Sequence, residues 1–243
     1  MKKLRSFFVV AVVMCVALFS LVGCGGGNDN VIRISEVTHS LFYAPFYAAI
    51  NKGYFKEYNI EIELSNAGGS DGVMTALISG SADVGLMGPE SVVFVNNKGM
   101  TNAPVIFAQL TACDGSFLVG RDANEVDNFD WNNLKNKHII AGRKAGMPAM
   151  TLQYILNDMG LTTGLEGEEV DVILDTSIPF NLNTPSFISG TGDYCTMFEP
   201  VASQCVEDKT GYIVSALGEK LSNVPYTCFT ANKELLNKDS EKL

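Results

Sequence analysis

Basic residues are scarce in this 243-residue chain. Only 17 Lys and Arg stand against 27 Asp and Glu, a formal net charge of −10. So acidic a chain makes a poor partner for nucleic acid. There are two His and one Trp. No HExxH, no GxSxG, no Walker-type Gly-rich loop and no Ser/His/Asp order occurs, so the common zinc-peptidase, serine-hydrolase and nucleotide-hydrolysing chemistries have no motif to rest on. "GRKAGM" and "GTGDY" lack the glycine spacing of a dinucleotide fingerprint. Charged residues make up only 18%. The hydrophobic share of 47% nevertheless argues against disorder and is ample for one or two domains with real cores.

The apolar run "FFVVAVVMCVALFSLVG" follows Lys2, Lys3 and Arg5 and ends in small residues, the pattern of a secretory signal. It is at the short end for a spanning helix, and "CGGGND" follows it in place of a basic flank. "LVGC" resembles the bacterial lipobox, which implies cleavage of residues 1–23 and acylation of Cys24. Residues 24–30 then form a flexible tether. Removing three basic and no acidic residues moves the net charge from −10 to −13. The expected location is the cell membrane, lipid-anchored on its extracytoplasmic face. Six Cys include Cys15 in the signal and Cys24, leaving Cys113, Cys195, Cys205 and Cys228. Export permits disulfides, but there is no CxxC and no framework spacing, so buried free thiols are expected.

Past the tether, strand and helix patterns alternate. "VIRISEVTH", "IEIEL", "ADVGLMG", "PVIFAQLTA" and "SFLVGRD" read as strands. Between them Pro45 opens a helix that Gly53 closes, a second helix carries Val73, Met74, Leu77 and Ile78 on one face, and a third runs from Pro89 to Gly99. The polar stretch "ANEVDNFDWNN" precedes a restart. "HIIAG" is a strand, and a helix follows Pro148 with Leu152, Ile155, Leu156 and Met159 at helical spacing. "EVDVILD", "DYCTMFEP", "GYIVSAL" and the extended "VPYTCFTAN" complete the pattern, with Pro200 opening a further helix. This is the grammar of an α/β fold with largely parallel sheets.

Residues 78–87 and 188–197 are an ungapped echo, sharing Ile, Ser, Gly, Asp and Met. Pro45 and Pro148 each follow the first strand of their half. Two similar lobes are expected: lobe I from 31–120 plus 224–243, lobe II from 121–223, with hinges near 120–122 and 224–229. In open parallel sheets ligands sit beyond the carboxyl ends of the strands, where helix N-termini point. "GPES" and "FEP" turn a strand directly into a helix start, so both copies of the echo should face one cleft.

"APFYAAINKGYFKEYNIEIEL", "GGSDGVMTALISGSADVGLMGPE", "LKNKHIIAGRKAGMPAMTLQYILNDMGL" and "GTGDYCTMFEP" together resemble the solute-binding lipoproteins of ABC importers, in the branch for taurine, alkanesulfonates, nitrate and thiamine-precursor pyrimidines. The resemblance covers most of residues 31–232. It implies a type II periplasmic-binding-protein-like fold. Two hinged α/β lobes, each a mostly parallel sheet flanked by helices, would close over one small molecule and deliver it to a permease. Family members usually run to about 300 residues or more, beyond what the loop and helix rules specify, so the chain is expected to lack helices that complete lobe I.

Within that frame Thr38, His39, Phe42 and Tyr43 belong to the loop after the first strand. The two aromatics either stack on a flat ligand or pack on the first helix. His39 is either a donor to the ligand or a local hydrogen-bond partner. Gly69, Ser70 and Asp71 form the second loop, as ligand contacts or helix caps. Gly88, Glu90 and Ser91 form the third. Thr111 and Asp114 end the fourth strand, facing cleft or hinge. Arg143 and Gly146 lie opposite; the guanidinium either grips a sulfonate or carboxylate or pairs at the surface. Phe198 and Glu199 close the second lobe's wall, Glu199 suiting N–H donors. The ligand is therefore a sulfonate or other oxyanion, or a pyrimidine-like heterocycle. No cofactor, metal or nucleic acid is expected, and the chain is expected to be a monomer. The alternatives are an enzyme on the same fold related to thiamine-pyrimidine or menaquinone biosynthesis, with His39 and Lys144 as a conceivable pair, and a ligand-sensing receptor subunit. The Cys-rich motif of the pyrimidine synthases is missing.

Overall fold

Two β-sheets with separate helical coats organise the chain, and the computed structural model describes residues 30–238. The expected signal segment, Cys24 and the tether up to residue 29 lie outside the described residues. From Ile32 onward the described residues form one compact unit.

The first sheet has the order β2-β1-β3-β11-β4, with β1 Val31–Glu36, β2 Glu61–Asn66, β3 Val84–Met87, β4 Val105–Thr111 and β11 Thr227–Ala231. β1 and β3 are parallel, Ile34 opposite Val84. β11 runs antiparallel to both β3 and β4. The second sheet has the order β10-β5-β9-β6-β8-β7, with β5 Ser116–Gly120, β6 Lys137–Ile140, β7 Thr163–Gly164, β8 Val172–Asp175, β9 Tyr194–Phe198 and β10 Tyr212–Ala216. Its β9, β6, β8 and β7 pair in parallel, and β5 and β10 are antiparallel additions. Among the described residues seven α-helices cover the sheets: α1 Ala44–Asn51, α2 Ser70–Ser79, α3 Pro89–Asn97, α4 Met147–Asp158, α5 Asn183–Ile188, α6 Val201–Glu207 and α7 Lys233–Lys238.

Alternation along the strands feeds a core on each face, because successive side chains point to opposite sides. In the first lobe Ile32, Ile34, Phe46 and Leu86 pack on one side, and Val73, Met74, Leu77 and Met87 on the other. In the second, Leu118 and Ile139 join Leu152, Ile155 and Leu156, while the adjacent Val119 and Ile140 join Phe187, Met197 and Ala202. Two residues expected on core faces are not there: Ile78 is 50% and Met159 40% exposed, each at the last turn of its helix or just past it. Of the four cysteines, Cys195, Cys205 and Cys228 are buried and free, whereas Cys113 is exposed because it lies between the sheets' strands in a crossing segment.

The sequence echo has a structural counterpart. Asp83 Oδ2 accepts the Arg33 backbone N–H at 2.9 Å, and the Asp83 N–H donates back to the Arg33 carbonyl at 2.8 Å. Asp193 does the same to His138, at 2.9 and 2.7 Å. Each aspartate thus pins the strand after a helix to a parallel neighbour, β3 to β1 through Asp83 and β9 to β6 through Asp193. At Gly85 a Cβ would fall 2.6 Å from Val73 Cγ1, so α2 packs directly on the backbone of β3.

One boundary differs from expectation. Ser116–Gly120, expected to end lobe I, is an inner strand of the second sheet, so the chain crosses at residues 112–115 rather than 120–122. Leu217 and Leu221 still pack in the second lobe's core, so it returns at 222–226, overlapping the expected 224–229. A strand pattern shows that β5 is extended but not which sheet receives it. The two crossings bind each other: Val224 N–H donates to the Ala112 carbonyl at 2.8 Å and Tyr226 N–H to the Thr111 carbonyl at 3.1 Å. A Cβ at Gly218 would collide with the Asp114 carbonyl. No helix among the described residues is long and apolar enough to cross a membrane.

Candidate functional site

Between the carboxyl ends of the two sheets lies a narrow space with a cavity volume of about 40 Å³, open to solvent at its mouth. Tyr43, Phe180, Phe198, Tyr226, Met147 and Pro148 wall it, with Ser70, Gly88, Glu90, Arg143 and Gly146 between them. The aromatic rings brace one another. Phe198 stacks near Phe42 at 6.0 Å and tilts on Phe180 at 5.8 Å, and Tyr226 meets the edge of Phe42 at 5.6 Å. Burial raises the Tyr43 hydroxyl to about 12 and moves that of Tyr226 in the same direction, so both stay protonated donors.

The charged part of this chamber is a clasp between lobes. Arg143, on the loop between β6 and α4, donates from Nη2 to Ser91 Oγ at 2.7 Å and to Glu90 Oε1 at 3.2 Å. Its Nη1 lies 3.3 Å from Asp71 Oδ1. Three groups of the first lobe therefore occupy the guanidinium. The Glu90 side chain is 8% exposed, and its Oε2 is buried without a hydrogen-bond partner among the described residues. Burial pushes its carboxyl above the ordinary value, against the opposing pull of Arg143. The site is open to Glu90 because a Cβ at Gly88 would collide with that Oε2. Pro89 sits at the first turn of α3, where a missing N–H costs nothing.

A second, roomier and more polar space, with a cavity volume of about 400 Å³, shares Val37, Phe180 and Phe198 with the first. Thr38, His39, Asn66, Asn181, Asn183, Thr196 and Glu199 line it. His39 Nδ1 is 3.0 Å from Glu36 Oε1, and its ring stacks on Tyr47 at 4.4 Å. It is a local partner of a buried carboxylate. Glu199 is also engaged: Oε1 accepts from Ser203 Oγ at 2.7 Å and Oε2 from Ser203 N–H at 3.0 Å, capping α6, while its carbonyl accepts from Ser40 Oγ at 2.7 Å. Its carboxylate is turned to its own helix instead of the cleft.

Other expected contacts serve the frame. Phe42 lines neither space; its ring covers Gly115, where a Cβ would overlap it, and supports Phe198 from behind. Thr111 Oγ1 accepts from Thr227 N–H at 2.9 Å, locking the hinge. Asp114 is buried in the first crossing, where Oδ1 accepts from Ser116 N–H at 2.7 Å and Oγ at 2.6 Å, and Oδ2 accepts from Thr151 Oγ1 on α4. It is a strut between crossing and lobe II. Gly69 precedes α2 at φ 155, and Asp71 and Ser91 meet the cleft through Arg143. Phe180, Asn181, Asn183, Tyr226 and Thr227 were not among the expected contacts. "SIPFNLNTP" after β8 has the Pro and Asn content of a loop at a strand's carboxyl end, and that signal marks the first three.

Residues 37–243 match the NMT1-like family. The chain belongs to the NMT1-like family. It is 38% identical over 225 residues to the candidate binding protein YtlA of Bacillus subtilis (strain 168), covering 92% of this chain and 65% of that one. It thus spans about two thirds, a little less, of that relative's length. Among solved structures it resembles the alkanesulfonate-binding protein SsuA of Xanthomonas axonopodis pv. citri bound to MOPS, at a TM-score of 0.64 and 17% identity over 89% of this chain and 70% of that one. It also resembles the periplasmic nitrate-binding protein NrtA of Synechocystis PCC 6803, at 0.70 and 15% over 88% and 58%. At these identities the likeness establishes the fold. The NMT1-like chain has the two-lobed periplasmic-binding-protein fold expected from its sequence.

Proposed function

We propose that this chain is the ligand-capturing part of an extracytoplasmic binding protein of an ABC importer, tethered to the membrane by lipid on Cys24, and that it is not an enzyme. We further propose that its cleft takes a flat, neutral or cationic pyrimidine-like heterocycle bearing N–H donors, in preference to a sulfonate or other oxyanion. The observation that carries the ligand class is the pair Arg143 and Glu90. Arg143 is held by Asp71, Glu90 and Ser91. Glu90 Oε2 is a buried acceptor with no partner among the described residues, facing an aromatic chamber. An anion there would have to displace three partners from the guanidinium and lie beside a carboxylate. A ring N–H instead meets an acceptor that is already desolvated and gains stacking on Phe180, Phe198 or Tyr43. The binding name of YtlA supports the general role.

A thermal-shift panel of aminopyrimidines, taurine, alkanesulfonates and nitrate tests this reading. Ligand at about 100 times Kd adds about 2.7 kcal/mol, a rise of about 5–10 °C. The expected outcome is a rise with aminopyrimidines and none with the anions. A rise with taurine or nitrate alone would overturn the ligand class, and chemical turnover of a bound compound would overturn the role.

A further inference from the structure

We propose that the polar chamber is a second ligand subsite, built on Asn183, which takes an uncharged hydroxyl- or carboxamide-bearing arm of a ligand whose ring lies in the aromatic chamber. The inference rests on the ring reading given above and adds a second half to the ligand.

Asn183 is 2% exposed, yet neither its Nδ2 nor its Oδ1 has a hydrogen-bond partner among the described residues. Buried side-chain amides are almost always paired, because an unpaired one forfeits its hydration without return. Here both ends are unpaired on a residue that lines the polar chamber. Gly142, at φ +89, brings its backbone beside the amide; a Cβ there would make ordinary contact with Nδ2 at 3.6 Å, and it is the left-handed backbone that favours glycine. The chamber wall adds Thr38, Asn181, Thr184 and Thr196.

The charges facing this chamber are already spoken for. His39 is held by Glu36 and Tyr47, and the Glu199 carboxylate by Ser203. An amide offers one donor group and one acceptor side by side, which suits a hydroxyl or a carboxamide and gives no net attraction to an ion. The two chambers share Val37, Phe180 and Phe198, so one molecule can occupy both, its ring against the aromatic wall and its arm past Phe198 toward Asn183.

Matched probe pairs with and without a hydroxylated arm test this on the full chain in detergent: cytosine with cytidine, adenine with adenosine, and lumichrome with riboflavin, by isothermal titration calorimetry. In the wild type the armed member of the pair that binds is expected to be about tenfold tighter, the factor that ordinary neutral hydrogen bonds supply. Asn183→Leu should abolish that gain and leave the bare ring's affinity within about twofold. Bare rings that bind without any gain from the arm would overturn the subsite and leave the ring reading standing. Failure of every ring would remove the ring reading and the subsite with it. Retention of the gain in Asn183→Leu would also overturn it. A ligand-free arm uses the same variant: with no protein partner to lose, its Tm is expected to be unchanged or higher by about 2–4 °C. A clearly lower Tm would reveal a partner inside the protein and overturn the proposal.

Discussion

Glu90 carries two opposed demands in one side chain. Burial holds its carboxyl above the ordinary value of 4.5, so the folded chain binds that proton more tightly than the unfolded chain. Its contribution to stability is therefore full below pH 4.5 and is lost as pH rises through the folded value, where a desolvated carboxylate must be kept. Asp114 shifts the same way for the same first cause, so the difference between wild type and Glu90→Gln isolates the one residue. That variant, with a permanently neutral group, is expected to be the more stable protein at pH 7, its advantage vanishing toward pH 4.5. Thermal melts between pH 4 and 8 check it, and an advantage that grows toward acid would contradict it. The residue types at the cleft were legible in sequence, since Tyr43, Glu90, Arg143 and Phe198 sit at or just past the carboxyl ends of strands. Their partners were not. Nothing in "GRKAGM" says that Arg143 closes on Glu90, and nothing in "MFEP" says that Glu199 turns back to cap its own helix. Those choices are made by the facing lobe and by the next turn of chain.

Among the elements, the two halves of the echo carry their clearest message at Asp83 and Asp193. Shared aspartates in front of cleft strands invite a ligand role, yet both bind the backbone of the neighbouring strand. Asp193→Ala removes the bond to His138 N–H and the longer ion contact with Lys137 at 3.6 Å. A cost of about 1 kcal/mol lowers Tm by about 2–4 °C, with ligand affinity unchanged; calorimetry and titration of one preparation read both. The helix and strand order was legible because Pro, Gly and alternation mark nearly every boundary. The sheet that receives β5 was not, because period-2 patterning fixes a strand's faces and says nothing of its neighbours. That gap moved the expected crossing from residues 120–122 to 112–115.

For the molecule as a whole, the crossings set how the lobes can move. The two crossings are hydrogen-bonded side by side, Val224 to Ala112 and Tyr226 to Thr111, and Asp114 extends the bracing to α4 through Thr151. The crossings and Asp114 thus form one braced band between the lobes. The clasp of Arg143 on Glu90, Ser91 and Asp71 bridges the same two lobes through side chains of the protein alone. This has a kinetic corollary. If the lobes must part before a molecule reaches Phe198 and Asn183, the observed association rate should not climb in proportion to ligand concentration. It should level off at a ceiling equal to the rate at which the clasp releases. Arg143→Ala should raise that ceiling several-fold in stopped-flow fluorescence, turning a saturating curve toward a straight line, so that the timing of capture is set by one guanidinium rather than by diffusion.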